Sequence, residues 1–530
     1  MSAVQTTKMT NYRWIICAML FFATTVNYMD RQVLSLTWKD FIAPEFHWTN
    51  STYGDITAWF SIFYAIAMLF AGKFVDWMGT KKGYLWAIGV WSAGACAHAL
   101  CGLITEWYVG LEDSQALRAV QAGSDLAVII TTTSLYCFLA ARLVLATGEA
   151  GNFPAAIKVT AEYFPKKDRA FATSIFNAGA SIGALIAPVS IPPLAKYLGW
   201  EMAFVVIGVL GFIWMGLWVF IYKKPNENPR VNAAELTYIN QDAETDNDPK
   251  DATDEGPKIG FLKCFTFRQT WAFIVGKFMT DGVWWFFLFW TPAYISDVYG
   301  YTSDSGMGMA LIFVLYLITM LSIYGGKLPT IIINRTGMNP YAARMRSMLI
   351  FAFFPLLVLL AQPLGKFSPW IPIIIIGIAG AAHQSWSANI FSTVGDMFPK
   401  SAVATITGIG GMAGGIGSFL INKGSGMLFD SKMLHASTID GKPLLDVFPS
   451  LADGVFPEAF KQYVAEDPIR RAEDMTNFMK YIAHSDTYQN VINGINEGYM
   501  IIFCICAVAY LIGWIIMKVL VPKYKPIVVE

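Results

Sequence analysis

The segment "EYFPKKDRAFATSIFNAGASIGALI", residues 162–186, is repeated later in the chain as "DMFPKSAVATITGIGGMAGGIGSFLI", residues 396–421. The two segments align without a gap at an offset of 234 residues. Both are rich in Gly, Ala and Ser, the small residues that let helices approach closely inside a membrane. The repeat therefore predicts a chain built from two similar halves. Its identical pairs are Phe164/Phe398, Pro165/Pro399, Lys166/Lys400, Ala170/Ala404, Thr173/Thr407, Ile175/Ile409, Ile182/Ile416 and Gly183/Gly417.

The composition is that of a membrane protein. Of the 530 residues, 55% are hydrophobic and 14% are charged, whereas soluble proteins carry about 25% charged residues. The formal net charge of +0 gives no reason to expect a nucleic-acid partner. The seven Cys lack metal-ligand spacing, so we expect no disulfide framework, no metal site and no cofactor. The first apolar run is too long for a signal peptide and lacks a small-residue cleavage pattern.

Twelve apolar stretches are long enough to cross a bilayer, since a spanning helix needs roughly 20 residues. We therefore predict an all-α membrane protein with twelve transmembrane helices in two six-helix halves. The halves are residues 1–222 and 265–530, joined by a polar linker at 223–264. The predicted spans are 13–37, 55–75, 84–104, 130–158, 171–194, 202–222, 271–296, 304–333, 347–362, 370–393, 403–428 and 498–520.

Positive charge is concentrated in the short loops on one side of this topology. Loops rich in Lys and Arg stay in the cytoplasm, so both termini are expected there. The chain is then a multi-pass protein of the cytoplasmic (inner) membrane, surrounded by the lipid bilayer. The cytoplasmic loops carry Lys73, Lys81, Lys82, Lys166, Lys167, Arg169, Arg335, Arg344 and Arg346, and the opposite short loops carry Lys39, Lys196 and Lys366.

Two extra segments lengthen loops on the outer side of this topology. One is residues 105–125, and the other is a longer loop at about 430–497. The second contains helical patches but no pattern that predicts a hydrophobic core of its own. Surface loops tolerate insertion, so decoration or an oligomer contact is the first interpretation, with a lid over the entrance as the alternative.

Charged residues lie inside the first and fourth spans. The first contains "FFATTVNYMDRQVLSLTW", residues 21–38, in which Asp30 and Arg31 are adjacent. Each such charge costs about 2.5–3.5 kcal/mol at a helix centre, so it must face a partner or a water-filled cavity. Arg142 and Glu149 are two helical turns apart, about 10 Å, so each needs a partner on another helix. We expect functional roles for all four residues, although Arg31 also fits a side chain that snorkels to the membrane surface.

Further polar residues interrupt the spans. Lys277 and Asp281 in the seventh span are four residues apart and can pair with each other, so Lys277 belongs either to a structural or gate ion pair or to a substrate site. Tyr28, Tyr64 and Asn177 interrupt the first, second and fifth spans. The tenth span has more hydrogen-bonding capacity than a lipid-facing helix needs. Its polar residues are His383, Gln384, Ser385, Ser387, Asn389 and Ser392.

The stretch "GKFVDWMGTKKG", residues 72–83, resembles the signature loop between helices 2 and 3 of the major facilitator superfamily. A degenerate copy, "GGKLPTIIINRTGMNPYAAR", follows the eighth span, as the duplication requires. The resemblance implies a transporter whose binding site lies between the two halves. Asp76, within the signature stretch, is assigned to the gate on the cytoplasmic side.

Three further stretches indicate a particular family within this superfamily. "NYMDRQ" (27–32), "RLVLATGEAGNFPAAIK" (142–158) and "WWFFLFWTPAYISDVYG" (284–300) resemble the anion:cation symporter family, most of all its proton-coupled hexuronate transporters. The resemblance implies that Asp30 and Glu149 couple protons, while the two arginines hold the organic anion. The substrate-binding residues expected are Tyr28, Arg31, Tyr64, Arg142, Asn177, Lys277, Ser385 and Asn389.

The function expected is proton-coupled import of a hexuronate, galacturonate or glucuronate, by a monomer. The eleventh span departs from several sugar-acid members, because "GIGGMAGGIGSF" (408–419) lacks their Asn between two aromatic residues. Symport of an aldonate or aldarate therefore stays open, as does a transporter-like sensor of small organic anions. An enzyme is not expected, since the five His are scattered and no nucleophile motif or metal-spaced cluster occurs.

Overall fold

The computed structural model of the chain describes residues 9–241, 260–398, 400–466 and 474–527. Twelve long helical segments cross the molecule in the described part, as the sequence predicts. They are α1 (Arg13–Thr37), α2 (Asn50–Met78), α3 (Thr80–His98 and Leu100–Val109), α4 (Asp125–Glu149 and Asn152–Tyr163), α5 (Lys166–Leu198), α6 (Trp200–Ile221), α7 (Arg268–Tyr299), α8 (Gly306–Thr319, Ser322–Gly325 and Leu328–Thr336), α9 (Pro340–Phe353, a 3-10 turn Phe354–Leu360 and Ala361–Gly365), α10 (Trp370–Met397), α11 (Lys400–His435) and α12 (Ile495–Leu520).

Shorter elements connect these helices. The one sheet in the described residues pairs the antiparallel strands Thr438–Ile439 and Lys442–Pro443. Length and hydropathy alone identify eight membrane spans in the described residues, and the bent pair in α3 makes a ninth. The connecting helices and turns are Trp38–Ile42 (a π-helical turn), Ala43–Phe46, Ser114–Ala119, Pro225–Glu227, Ala233–Ile239, Leu262–Thr266, Leu444–Val447, Pro449–Asp453, Glu458–Ala465 and Met475–Ala483.

One identical pair of the sequence repeat packs in the same way in both halves. A Cβ at Gly183 of α5 would overlap the carbonyl oxygen of Thr25 on α1. A Cβ at Gly417 of α11 would overlap the carbonyl oxygen of Phe278 on α7. Only glycine allows the two backbones to approach this closely. The identical glycines of the repeat therefore occupy equivalent contacts in the two halves: α5 packs against α1, and α11 packs against α7.

The two faces of the molecule differ. We call the side that carries residues 223–241 the linker face and the side that carries residues 436–494 the insert face. Ion pairs and hydrogen bonds join the two halves at the insert face. These contacts are Lys39–Asp297 (3.0 Å), Lys196–Asp304 (2.9 Å), Lys423–Asp55 (2.8 Å), Asp40 with Ser303 (2.8 Å) and Asp430 with Ser51 (2.6 Å).

Residues 436–494, which we call the cap, have a hydrophobic core of their own within their described parts, 436–466 and 474–494. The sequence did not predict this core, because its residues are scattered over short helices and turns without a regular period. The cap also contacts the other extra segment, since Gly454 packs directly against Gly123. The two inserted segments therefore fold together. The buried core residues are Ile439, Leu444, Leu451, Phe456, Phe460, Val464, Phe478, Met479 and Ile482.

The first part of the linker is bound to the end of α1. Glu235, fully buried, accepts hydrogen bonds from the backbone N–H groups of Tyr12 (2.8 Å) and Arg13 (3.0 Å) and pairs with the Arg13 side chain at 3.1 Å. A carboxylate at a helix N-terminus satisfies free N–H groups and opposes the helix dipole. Burial raises the pKa of Glu235, but hydrogen bonds from Thr10 and from the start of α1 outweigh it and hold the pKa below its ordinary value.

We expect Glu235→Gln to destabilise the protein by about 3 kcal/mol, because it leaves Arg13 buried without its counter-charge. Thermal unfolding in detergent at neutral pH should show the loss, and exposed Glu227→Gln should unfold like the parent. The ionised carboxylate stabilises the folded protein fully at pH values above the pKa that Glu235 has in the unfolded chain. The difference in unfolding midpoint between the parent and Glu235→Gln should therefore shrink as the pH falls through the lowered pKa of the folded state. Equal midpoints for parent and Glu235→Gln would contradict this role.

Candidate functional site

A cavity of about 440 Å³ lies between the two halves near the centre of the bundle. Tyr28 and Asn177, two predicted substrate-binding residues, line its wall in the first half. Tyr28 belongs to α1 and Asn177 to α5, the two helices that Gly183 holds together. A cavity between repeat halves is the usual place for a transporter's binding site. The second half contributes Trp284, Leu288, Tyr316, Thr319, Met320, Ser322, Gln384, Ser387, Ala388 and Phe391.

Arg31 and Glu149 form a buried ion pair beside this cavity. The Arg31 Nε lies 2.8 Å from Glu149 Oε2, and the two side chains are 6% and 0% exposed. Glu149 thus finds its partner on another helix, as its spacing from Arg142 predicts. The second carboxylate oxygen of Glu149 and the Nη2 of Arg31 have no hydrogen-bond partner among the described residues. Both groups therefore have capacity left for a ligand or a proton.

Aromatic rings surround the Arg31 guanidinium. Its central carbon lies 4.5 Å from the ring centre of Tyr64, 5.2 Å from that of Tyr28 and 5.6 Å from that of Trp285. Cation–π contacts of this kind hold an arginine in place without neutralising its charge. Tyr28 also lines the cavity, so Arg31 is one ring away from the space between the halves. Trp285, on α7, brings the second half to the same guanidinium.

Asp30 and Arg142 are the other two charged residues of the cluster that contains Arg31 and Glu149. Asp30 is fully buried, and neither of its carboxylate oxygens has a hydrogen-bond partner in the described part of the chain. Arg142 is 2% exposed, its Nε and Nη1 are also unpartnered there, and its guanidinium lies 5.1 Å from the Phe60 ring. The two groups interact electrostatically with each other and with Glu149. Two carboxylates and two guanidiniums thus share one desolvated region.

The surroundings of Arg142 differ from those of Arg31. It borders a narrow gap with Leu34, Tyr53, Thr57, Phe60 and Phe289. The Tyr53 hydroxyl donates to the Phe289 carbonyl oxygen at 2.8 Å, which ties α2 to α7 beside this gap. Arg31 thus contacts Tyr28, which lines the central cavity, whereas Arg142 borders this separate gap.

Lys277 and Asp281 pair with each other at 2.7 Å along α7, as their spacing allows. Both side chains are largely buried, at 6% and 14% exposure. The Lys277 Nζ also lies 4.2 Å from the centre of the Phe391 ring, and Phe391 lines the cavity. Lys277 thus has an internal counter-charge, whereas its part in substrate binding stays a prediction.

Two predicted residues of α10 are not among the residues that line the cavity. Ser385 donates to the Ala381 carbonyl oxygen at 2.8 Å, and a Cβ at Gly325 of α8 would overlap its hydroxyl. Asn389 donates to the Ser385 carbonyl oxygen at 2.8 Å. The cavity is instead lined by Gln384, Ser387, Ala388 and Phe391, which share one helical face at i, i+3, i+4 and i+7. That spacing is the signal that could have singled out Gln384 and Ser387.

Asn422 is the buried amide of α11, just beyond the stretch that lacks the expected Asn. It accepts from the Trp290 indole N–H at 2.9 Å and donates to the Ser418 carbonyl oxygen at 2.8 Å. Its hydrogen bonds are thus directed to the protein rather than to the cavity. The remaining predicted residue, Asp76, has a side chain outside the described residues, so its gate role stays a prediction.

Known proteins with similar sequences are sugar-acid transporters. The "Hexuronate transporter" of Escherichia coli (strain K12) is 28% identical over 427 residues, 80% of this chain and 89% of that protein. The "Probable galactarate/D-glucarate transporter GarP" of the same strain is 25% identical over 77% of this chain and 86% of its own length. The "Galacturonate transporter" of Dickeya chrysanthemi is 26% identical over 56% of this chain and 75% of its own.

Solved structures show the same fold at low sequence identity. A bacterial homologue of the human lysosomal transporter Spinster, in an inward-facing and occupied conformation, aligns with a TM-score of 0.61 at 16% identity, over 97% of this chain and 98% of that one. A D-xylose–proton symporter aligns with a TM-score of 0.58 at 13% identity, with the same coverage of both chains. The family model of the Major Facilitator Superfamily matches residues 20–421. With its twelve-helix fold and its central cavity between two repeated halves, the chain belongs to the Major Facilitator Superfamily, a family of transporters rather than enzymes.

Proposed function

We propose that this protein is a proton-coupled symporter that imports a hexuronate, galacturonate or glucuronate, by alternating access. One observation carries the proposal: Arg31, one aromatic ring from the central cavity, is paired with the buried carboxylate of Glu149. A guanidinium suits a substrate carboxylate, because its planar fork can donate two parallel hydrogen bonds. A buried carboxylate suits a proton, because desolvation favours its neutral form.

The coupling follows from competition for Arg31. While Glu149 is ionised, Arg31 is committed to it, and a substrate carboxylate entering the cavity would meet a neutralised cation. Protonation of Glu149 removes that competitor and leaves Arg31 free to bind the substrate anion. By linkage, the proton raises the affinity for substrate by the same factor by which substrate raises the affinity for the proton. Asp30, balanced by Arg142, is the second group able to take up a proton.

The remaining cavity residues suit a polyhydroxylated anion. Asn177, Gln384 and Ser387 line the cavity with hydrogen-bonding groups, and Trp284 supplies an apolar ring surface. The names of the similar proteins support hexuronate first and galactarate or D-glucarate next. An aldonate or aldarate is therefore the second candidate substrate, and an anion sensor with the same site is the alternative from another class.

We also propose the membrane orientation and the division of the chain. The insert face is placed outside and the linker face in the cytoplasm, because Lys and Arg are concentrated in the short loops of the linker face. Both termini are then cytoplasmic in the inner membrane. The first half is residues 1–222 and the second is 265–530, joined by the linker at 223–264, and the protein acts as a monomer.

The substrate is tested by uptake into proteoliposomes with an imposed pH gradient, acidic outside. We expect radiolabelled galacturonate or glucuronate to accumulate, and the accumulation to collapse when a protonophore removes the gradient. Galactarate and galactonate are tested in parallel with empty liposomes as the control. Accumulation of an aldarate or aldonate alone would overturn the hexuronate assignment. Binding without transport of any of them would favour the sensor.

A further inference from the structure

Lys39 is the residue at which the cap meets both halves of the protein. It lies in the π-helical turn Trp38–Ile42 that follows α1, and its side chain is 7% exposed. Its Nζ lies 3.0 Å from Asp297 Oδ1 at the end of α7, 3.1 Å from Asn50 Oδ1 at the start of α2 and 3.2 Å from Thr476 Oγ1 in the cap. One ammonium thus joins the first half, the second half and the cap.

The cap is attached to one half and rests on the other. It connects α11 to α12, both in the second half, and Lys432 pairs with Glu497 at 2.5 Å where those two helices meet. Across the boundary, its Gly454 packs against Gly123 of the first half. The helix Met475–Ala483 begins over a polar cavity of about 320 Å³ at the insert face that Lys39 and Arg118 also line.

Carboxylates of the second half and its cap interact with the Lys39 ammonium. Asp297 contacts it directly, and Asp430 and Asp474 interact with it electrostatically. Asp474 is the N-cap of the cap helix and accepts from the Asn477 backbone N–H at 2.7 Å. Removing the cation leaves buried Asp297 without its ion-pair partner and weakens the compensation of Asp430 and Asp474, which is costly. The insert face is therefore held closed by a cation from one half among carboxylates from the other half and its cap.

We propose that Lys39 is a gating residue that couples the cap to the transport cycle, so that the cap stabilises the state in which the insert face is closed. This inference rests on the proposed alternating access, in which the halves separate at each face in turn. Opening the insert face moves α1 away from α7 and from the cap, so the Lys39 contacts with Asp297 and Thr476 must break together, while the contact with Asn50 stays within the first half. The cap then acts through Lys39 rather than as a passive decoration.

The experiment measures how often the insert face opens. Ser61 of α2 is 2% exposed and its hydroxyl lies 2.8 Å from that of Ser418 on α11, so Ser61→Cys reports separation of the halves. A membrane-impermeant thiol reagent is applied to right-side-out vesicles, and labelling is measured above the background of the parent. Exposed Lys442→Cys in the cap should label at once from the same side, which checks the orientation separately.

In the Ser61→Cys background, we expect Lys39→Met to raise the labelling rate at least about tenfold. Thr476→Val removes one hydrogen bond and should raise it about two- to tenfold. The double variant should label no faster than Lys39→Met alone, because both changes remove the same contact. Lys432→Met, which breaks an ion pair inside the second half, is the matched control. It should be labelled at the same rate as Ser61→Cys alone.

Unchanged labelling in both Lys39→Met and Thr476→Val would overturn the proposal. Effects that multiply in the double variant would also overturn it, because Lys39 would then hold the gate independently of the cap. Labelling needs no substrate, so the result stands apart from the identity of the transported anion. If the variants are labelled faster but the protein takes up no hexuronate, the substrate assignment is wrong and the gating role of Lys39 still holds.

Discussion

Glu149→Gln should bind and exchange substrate across the membrane yet lose all accumulation driven by a pH gradient. Glutamine cannot be ionised, so it imitates protonated Glu149 permanently and leaves Arg31 free for the substrate carboxylate. Counterflow in proteoliposomes, which needs no gradient, should proceed near the parent rate. Uphill uptake should fall to the level of equilibration, because no proton is released when the substrate is.

Asp30→Asn is the matched comparison, since it also neutralises a buried carboxylate of the same cluster. Asp30 has no ion-pair contact with Arg31, so its substitution should weaken transport without abolishing the pH dependence of substrate binding. Normal uphill transport by Glu149→Gln would rule out Glu149 as the coupling residue. Loss of coupling only in Asp30→Asn would move that role to Asp30.

Arg31→Lys should weaken substrate binding at least about tenfold, on the order of 1.4 kcal/mol. Lysine keeps the charge but loses the planar fork that holds a carboxylate with two hydrogen bonds, and it loses the stacking on the rings of Tyr28 and Tyr64. Titration calorimetry with galacturonate in detergent measures the change directly. The thermal midpoint of the variant checks that the cluster still folds.

Arg142→Lys makes the same substitution at the arginine that borders the narrow gap with Phe60 and Phe289, whereas Arg31 contacts the cavity-lining ring of Tyr28. Its effect on substrate affinity should be smaller than that of Arg31→Lys. If the order is reversed, the carboxylate site lies at Arg142 and the competition between substrate and Glu149 for Arg31 cannot be the coupling step.

The sequence predicted the fold because its signals are local or repeated. Runs of about 20 apolar residues identify spanning helices by length alone. The repeat predicted two similar halves, and its pair Gly183/Gly417 has equivalent close backbone contacts in the structure. The cap core was not predictable in the same way. Its residues, such as Phe456 and Phe478, come from short helices without a period that reveals a buried face.

The chemistry of the site was also visible in the sequence, because buried charges in a membrane are too costly to be incidental. The pairing of Arg31 with Glu149 was not visible in the sequence. The two residues are 118 positions apart, and only the packing of α1 on α4 brings them together. Likewise, composition marks α10 as polar but does not fix its rotation about its axis. Ser385 and Asn389 were therefore the residues predicted to bind substrate, whereas Gln384 and Ser387 line the cavity.

Proton uptake on substrate binding shows directly whether the substrate carboxylate competes with Glu149 for Arg31. Purified protein in a weakly buffered detergent solution near pH 7 is mixed with saturating galacturonate, and a pH indicator follows the proton concentration. If substrate displaces Glu149 from Arg31, the freed carboxylate takes up a proton and the solution becomes more alkaline. We expect this uptake in the parent and its absence in Glu149→Gln, which should still bind the substrate. Substrate binding by the parent without proton uptake, or equal uptake by Glu149→Gln, would contradict it.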